Sequence, residues 1–526
     1  MKILKSNEMA FADENTIKLT GIPSLVLMEN AGRTSAEIIL KKYPEMKNFV
    51  VIAGSGNNGG DGLVIARYLL RYDKKVKIFI LAETRTKLSP DNLKNLEIIE
   101  MNGGEVLLCG ENKIPKIRNA IKDSEVVIDA IFGTGFRPPV KGYREKVIEV
   151  INKYSKNTVA VDIPSGLSAN TGKTEGSFVK ADLTVTFAYP KLVHVLYPAS
   201  EFCGEVYVID ISIDENYLKE IHRYLIMPED LKLPERKKNS HKYNYGHVLV
   251  IGGSIGKTGA VIMASKSANI SGTGLVTAVI PKSLDSILEQ NLIEEMTVPV
   301  DEKNGLFGKK AKFEILDLIK NGKFSSIVIG MGMSVNENTV ELVDRILKIK
   351  MPLVIDADGL NNLAIIDDFK AKLKKRKFPT VLTPHVGEMS RLTKIPTKEI
   401  NDNLEEVAKD FSKETGCFVV LKSSRTVIAT PDEKVFYSMR GNEGMATAGT
   451  GDVLSGILGS LVNRLPTEEA VKLGVYLHGL SGDLAAEEIG KESLKATDLI
   501  NFIPKAYETL KNQKNKQYLS FYRKII

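Results

Sequence analysis

Two glycines, a hydroxyl and a carboxylate stand together at Gly449-Thr450-Gly451-Asp452, inside the stretch NEGMATAGTGDVLSG at residues 442–456. The glycines let a backbone approach a ligand closely and adopt φ values that a side chain forbids. Val453, Leu454, Ile457, Leu458 and Leu461 follow at helical spacing. A glycine turn feeding a buried helix aims free N–H groups at one point, and that point favours an anion such as phosphate. Asp452 is out of place as a phosphate ligand. It fits a base, or a group that orients a hydroxyl or a hydrated metal ion; the structural alternative is a helix N-cap.

A second set of chemical residues lies in the first half. Residues 49–53 read as a buried strand running into GSGNNGGDG at 54–62. Gly54, Gly56 and Gly59 spell G-x-G-x-x-G, which with Glu83 suggests a dinucleotide fingerprint. Asn57, Asn58 and Asp61 exceed what that fingerprint needs. Asp129 closes a later strand before Gly133-Thr134-Gly135-Phe136, and Asp162 closes another, before Ser165. Ligands of open α/β sheets bind beyond the carboxyl ends of strands, so these groups are expected to share one crevice. Its oxygen ligands suit a hard alkali cation better than zinc.

The elements that must position these groups are strands alternating with helices. Strands are expected at 49–53, 76–81, 126–131, 158–163 and 206–211, then at 247–252, 275–280, 326–330, 352–356, 380–383 and 418–421, with a hairpin over 426–438. Such alternation builds mostly parallel sheets covered by helices. The 526 residues are too many for one ordinary core. The Pro- and Lys-rich run at 227–239 marks a junction, giving domains over 1–220 and 225–512. In the second, Gly332, the DADG run at 356–359, His385 and Lys422 fall at strand ends, while Gly256-Lys257-Thr258 lacks the first glycine of a P-loop.

Composition limits the function classes. Apolar content of 43% and charged content of 26% are those of a soluble globular protein. The formal charge of +7 arises from 72 basic against 65 acidic residues, with no dense basic tract, so nucleic acid is not an expected partner. Cys109, Cys203 and Cys417 are far apart and offer no metal spacing. The sequence shows no signal peptide and no apolar run of about 20 residues, so the expected location is the cytoplasm, away from membranes.

In this order, LMENAG, GNNGGDG, IDAIFGTGF and VDIPSGL resemble the YjeF N-terminal domain, an NAD(P)H-hydrate epimerase with a Rossmann-like sheet. IDADGL, TPHVGE and the 442–456 stretch resemble the ADP-dependent NAD(P)H-hydrate dehydratase of the ribokinase-like superfamily. The resemblance implies that Asn57, Asn58, Gly59, Gly60, Asp61, Gly133, Thr134, Gly135, Phe136, Arg137 and Asp162 bind the epimerase substrate. It implies a potassium ion on Asn58, Asp129 and Ser165. In the second domain it implies that Ala260, Gly332, His385 and Asp452 touch the hydrated nicotinamide nucleotide, and that Lys422, Ser423, Ser424, Arg425, Thr426 and Gly451 bind ADP. The two together resemble a bifunctional repair enzyme. It would interconvert the R and S epimers of hydrated NADH and NADPH (NADHX and NADPHX) and dehydrate the S form with ADP as co-substrate and Mg2+.

Asp452 is then the expected base at the hydroxyl and Asp162 the expected proton-handling group at the first site. A homo-oligomer is expected. Two other readings stay open: a small-molecule kinase, because a GTGD turn alone does not separate transfer from elimination, and a first domain that binds nucleotide without catalysis.

Overall fold

The computed structural model describes residues 1–514 and 522–525. The chain divides into two compact units, one of residues 1–223 with 518–526, the other of residues 224–517.

In the first unit, strands β1 (Asn48–Ala53), β2 (Lys75–Ile80), β3 (Val106–Leu108), β4 (Val126–Ala130), β5 (Thr158–Val161), β6 (Leu183–Phe187) and β7 (Glu205–Ile209) form a parallel sheet in the order β7-β6-β5-β4-β1-β2-β3. A further strand, Tyr522–Lys524, pairs antiparallel with β7. The residues of β1, β4, β5 and β6 are almost all buried, because helices cover both faces. Strand order reverses between β1 and β4, so the loops after them open a crevice at that switch point. Three helices bear on it: α1 (Ser6–Asn15), α2 (Ser24–Lys42) and α3 (Asn57–Arg71). Residues 25–32, which include the LMENAG run, lie within α2. Gly32 packs there on Val64 of α3; a Cβ at Gly32 would come within 2.4 Å of the Val64 Cβ.

The second unit contains β8 (Arg223–Leu225), β9 (His247–Ile251), β10 (Leu275–Pro281), β11 (Met296–Val300), the small hairpin β12 (Glu302–Lys303) and β13 (Leu306–Phe307), then β14 (Ser326–Ile329), β15 (Leu353–Ile355), β16 (Thr380–Leu382), β17 (Phe418–Leu421), β18 (Val427–Ala429) and β19 (Val435–Tyr437). Its large sheet runs β11-β10-β9-β14-β15-β16-β17-β18-β19-β8. From β11 to β17 the neighbours are parallel; β17, β18 and β19 are antiparallel, as the hairpin at 426–438 requires. No helix among the described residues is long and apolar enough to cross a membrane.

The 442–456 stretch ends in the helix Thr450–Leu461, of which residues 453–461 are all buried. It packs on the helix Thr258–Ile270 at very short range. A Cβ at Gly456 would stand 2.1 Å from the carbonyl oxygen of Ala264 and 2.1 Å from the Ser267 hydroxyl. Gly456→Ala should therefore force the two helices apart and cost about 1–3 kcal/mol or more, as overpacked cores do. Thermal unfolding should show a lowered midpoint; an unchanged midpoint would mean that the two helices separate freely.

Candidate functional site

Two separate cavities, one in each unit, collect the residues singled out by the sequence. In the first unit β1 ends at Ala53, turns through Gly54–Gly56 and enters α3 at Asn57. Asn57, Asn58, Asp61, Gly133, Thr134, Gly135, Phe136 and Asp162 line one cavity of about 590 Å3. Gly59 and Gly60 lie in the first turn of α3, against the Gly54 carbonyl and Met28 respectively. Arg137 is exposed and outside the lining.

Asp129 and Ser165 are outside this lining, and Asp129 is fully buried. Its carboxylate accepts from the Ser165 hydroxyl at 2.6 Å, the Ser165 N–H at 2.8 Å and the Ile131 N–H at 3.2 Å. Burial still prevails and pushes its pKa up to about 6. Ser165 in turn accepts from the Phe132 N–H at 2.9 Å, and the Asn58 amide packs on Gly133. The buried amide nitrogen of Asn58 has no partner.

Asp162 takes a left-handed backbone, φ 66°. A strained conformation at a strand end is held only where its surroundings fix it. Here Lys191 and His194 do so. The Lys191 ammonium donates to Asp162 Oδ1 at 2.7 Å, to the Thr186 hydroxyl at 2.8 Å and to the Phe187 carbonyl at 2.9 Å. Thr186 Oγ1 donates to the same Oδ1 at 3.0 Å, and the Thr134 N–H lies 3.2 Å from Oδ2. His194 Nε2 meets the Asp162 carbonyl at 3.0 Å, while its Nδ1 accepts from the Lys191 N–H. Burial alone would raise the Asp162 pKa, but the Lys191 charge and hydrogen bond hold it below the ordinary value. Burial drives His194 down to about 3, so its ring is neutral. Neither Lys191 nor His194 had been singled out. The available signal was a lysine between Pro190 and the buried run Leu192-Val193.

In the second unit Ala260, Gly332 and Asp452 line one cavity of about 390 Å3, together with Lys257, Asp358, Glu388 and Gly449. The N-cap of the Thr450–Leu461 helix is Gly449, at φ 93°. The N-cap reading of Asp452 therefore fails; Asp452 stands in the first turn with its carboxyl in the cavity wall. Burial first, then the nearby Asp356 carboxylate, raises its pKa to about 7 against the pull of Lys422. Lys422 follows β17 and pairs with the buried Asp356 at 2.7 Å, whose other oxygen accepts from the Ser455 hydroxyl at 2.7 Å. Gly451 touches this pair: a Cβ there would lie 3.1 Å from the Lys422 ammonium.

His385 is not in the lining. It caps the helix Val386–Thr393, its Nδ1 accepting from the N–H groups of Gly387 at 2.9 Å and Glu388 at 3.3 Å. Burial, with Lys422 adding to it, lowers its pKa. Its cap places Glu388 in the cavity, where burial raises that carboxyl to about 7. Of the residues expected at ADP, Lys422 meets Gly451, Ser424 is exposed, and Ser423 hydrogen-bonds with the Arg425 backbone. The buried Arg425 donates to the Met439 carbonyl at 3.3 Å, and the Thr426 carbonyl accepts from Ser438. Lys257, of the run that lacks a P-loop glycine, pairs with Asp358 at 3.1 Å. Ala357, between Asp356 and Asp358, is left-handed at φ 49°, as Asp162 is in the other unit.

Comparison with known proteins agrees with this division. Residues 24–193 match the family model of the YjeF-related protein N-terminus, and residues 248–505 match that of NAD(P)H-hydrate dehydratase. A bifunctional NAD(P)H-hydrate repair enzyme of Moorella thermoacetica is 40% identical over 524 residues, 98% of each chain. One of Thermofilum pendens is 37% identical over 519 residues, 97% of each chain. Among solved structures, the ADP/ATP-dependent NAD(P)H-hydrate dehydratase of Bacillus subtilis, co-crystallised with ATP and Mg2+, is 28% identical. It covers 55% of this chain and 98% of its own, with a TM-score of 0.48. With two α/β units, a cavity in each and this likeness along nearly its whole length, the chain belongs to the family of bifunctional NAD(P)H-hydrate repair enzymes.

Proposed function

We propose that this protein repairs hydrated NADH and NADPH. The first unit interconverts the R and S epimers at the hydrated ring carbon, and the second dehydrates the S epimer at the expense of ADP, giving AMP and phosphate. The observation that carries the reading is the presence, on one chain, of an oxygen-rich cavity around Asp162 and a second cavity where Asp452 lies in the first turn of a buried helix.

Hydroxide is a poor leaving group. In the second cavity Asp452 accepts the proton of the substrate hydroxyl as that oxygen attacks the terminal phosphorus of ADP, and AMP departs. The N–H groups of the Gly449–Gly451 turn and the Lys422 ammonium face the phosphoryl oxygens. The ring nitrogen then expels phosphate to leave a C=N bond, and loss of a proton from the neighbouring ring carbon restores the dihydropyridine. Ala260 and Gly332 shape the wall against the nicotinamide nucleotide, and residues 422–426 with Gly451 take the nucleotide diphosphate, Lys422 by its side chain. Mg2+, when bound, neutralises charge on the phosphates. Glu388 and Asp358 supply oxygens on the cavity wall, and one or two carboxylates are what this ion usually takes.

In the first unit residues 57–61 and 133–137 cradle the substrate, and Asp162 serves as a fixed anion near its ring. For K+, a single buried carboxylate, Asp129, stands with the neutral side-chain oxygens of Ser165 and Asn58. One negative charge among neutral oxygens fits a monovalent cation.

The test uses an equimolar mixture of both epimers with Mg2+, K+ and ADP, following the return of dihydropyridine absorbance. Complete recovery is expected. Recovery that stops at half, beyond slow spontaneous exchange, would remove the epimerase assignment, and net phosphorylation of an alcohol without NADH formation would favour a kinase.

A further inference from the structure

The helix α1 delivers to the first cavity a carboxylate that the sequence did not point to. Asp13 lies near the end of α1, ahead of residues 24–193 that match the family model. It lines the same cavity as Asp162 and Lys191 and is close enough to feel both charges. Its hydrogen bonding separates it from its neighbour. Asp162 accepts from Lys191, Thr186 and Thr134, whereas the Asp13 carboxylate has no hydrogen-bond donor among the described residues. α1 is pinned where it must be. Its Met9 and Ala12 are buried with Leu4 and Leu218, and Glu8 is tied to Arg223 at 3.1 Å.

The chemistry of epimer exchange asks for one movable proton. The hydrated carbon bears a hydroxyl beside the ring nitrogen. For its configuration to change, the C–O bond breaks while the nitrogen lone pair forms a C=N bond, and the oxygen leaves as water once it has gained a proton. Water then adds to the opposite face, the C=N electrons return to nitrogen, and one proton is released. Atoms and electrons balance without any other reactant. The proton carrier must therefore give up a proton and recover it near neutral pH.

Asp162 is held ionised by Lys191, which suits it to offset the positive charge of the C=N intermediate and not to donate a proton. Asp61 is buried and pushed well above the carboxylate range. Asp13 lies between these extremes. Burial raises it to about 6, with Lys191 pulling down and Asp162 pushing up.

We propose that Asp13 is the proton carrier of the epimerisation, protonating the departing hydroxyl and taking a proton back from the water that adds on the other face, beside the fixed Asp162–Lys191 pair. This rests on the epimerase reading above.

The experiment uses the full chain with Asp13→Asn and Asp13→Glu. The R epimer is supplied with excess ADP and Mg2+, so that its conversion to NADH is limited by epimerisation. Asp13→Asn should lower kcat by ~10²–10⁴ with KM little changed, and Asp13→Glu should restore part of the loss. Followed without ADP as appearance of the S epimer from the R epimer, the wild-type rate should fall as pH rises through about 6, because the starting form is protonated; Asp13→Asn should lack that limb. The other ionisable groups lining the cavity are Asp61, Asp91, Arg144, Asp162 and Lys191. On the segment packed against α1, Glu215 is bonded to Tyr189. Dehydration of the S epimer by the same variant should be unchanged, which controls for folding. An Asp13→Asn enzyme with wild-type kcat, or one altered in KM alone, would overturn the proposal. A wild-type enzyme that leaves the R epimer untouched would instead overturn the epimerase reading itself.

Discussion

Asp452→Asn should reduce ADP-dependent recovery of NADH from the S epimer by ~10²–10⁴, the usual worth of a positioned general base, while epimer exchange continues at the wild-type rate. The substitution keeps shape and removes only the capacity to take a proton. The wild-type pH profile should carry the same signature. Burial and the neighbouring Asp356 raise Asp452 to about 7. A base acts ionised, so S-epimer dehydration should rise with pH through about 7 and level off above it. The variant's residual rate should show no such limb. Stability should move the other way. A carboxyl whose folded pKa lies above its unfolded value makes the folded state lose stability as pH rises between the two. Removing that buried charge should therefore raise the thermal midpoint at neutral pH. Initial rates on purified S epimer across pH, with a melting curve for each protein, test both parts. Full turnover by the variant would remove Asp452 from the chemistry.

Lys191→Met should abolish epimerisation and destabilise the first unit by about 3–5 kcal/mol, the cost of stranding one member of a buried ion pair. The Lys191 side chain is 1% exposed and that of Asp162 9%, so solvent cannot replace the lost partner. Thr186 Oγ1 would lose its donor and the Phe187 carbonyl one of its two donors as well. The acid response should change sign. In the wild type the Asp162 pKa is depressed, so its contribution is present above the unfolded value and is lost as pH falls through the folded one. Without Lys191, burial dominates, the Asp162 pKa rises, and the variant should gain stability on mild acidification. Asp162→Asn added to Lys191→Met should recover part of the lost stability and none of the activity. Urea unfolding of the three proteins at two pH values decides the matter; a Lys191→Met protein as stable as the wild type would show that the pair is solvated.

The strands and both glycine loops were legible because their signals are local. Buried parallel strands read as short apolar runs, and a Gly-rich turn before a periodic helix marks a ligand-facing end. Asp452, Asn58, Asp129 and Asp162 could all be read at strand or helix ends. What escaped was carried by tertiary contact. Lys191 follows β6 in a segment with no motif, and only the sheet brings it to Asp162. Asp13 sits on a helix whose sequence, SNEMAFADEN, shows no strong apolar face. His385 was legible as a residue at a strand end. It also caps a helix and so aims Glu388 inward, a role that its position at a strand end does not reveal. The resemblance implied Arg425 at the nucleotide, and no sequence signal announced that its side chain is buried and donates to the Met439 carbonyl.

The strand Tyr522–Lys524 adds to the edge of the first sheet beside β7, yet it is encoded after the whole of the second unit. On the ribosome, then, β7 waits with its outer backbone groups unpaired while roughly three hundred further residues are made. Cutting the chain near residue 223 to isolate the first unit would make that interval permanent. A fragment prepared in this way would carry an open sheet edge, and its association behaviour would report on the missing strand and not on the native assembly.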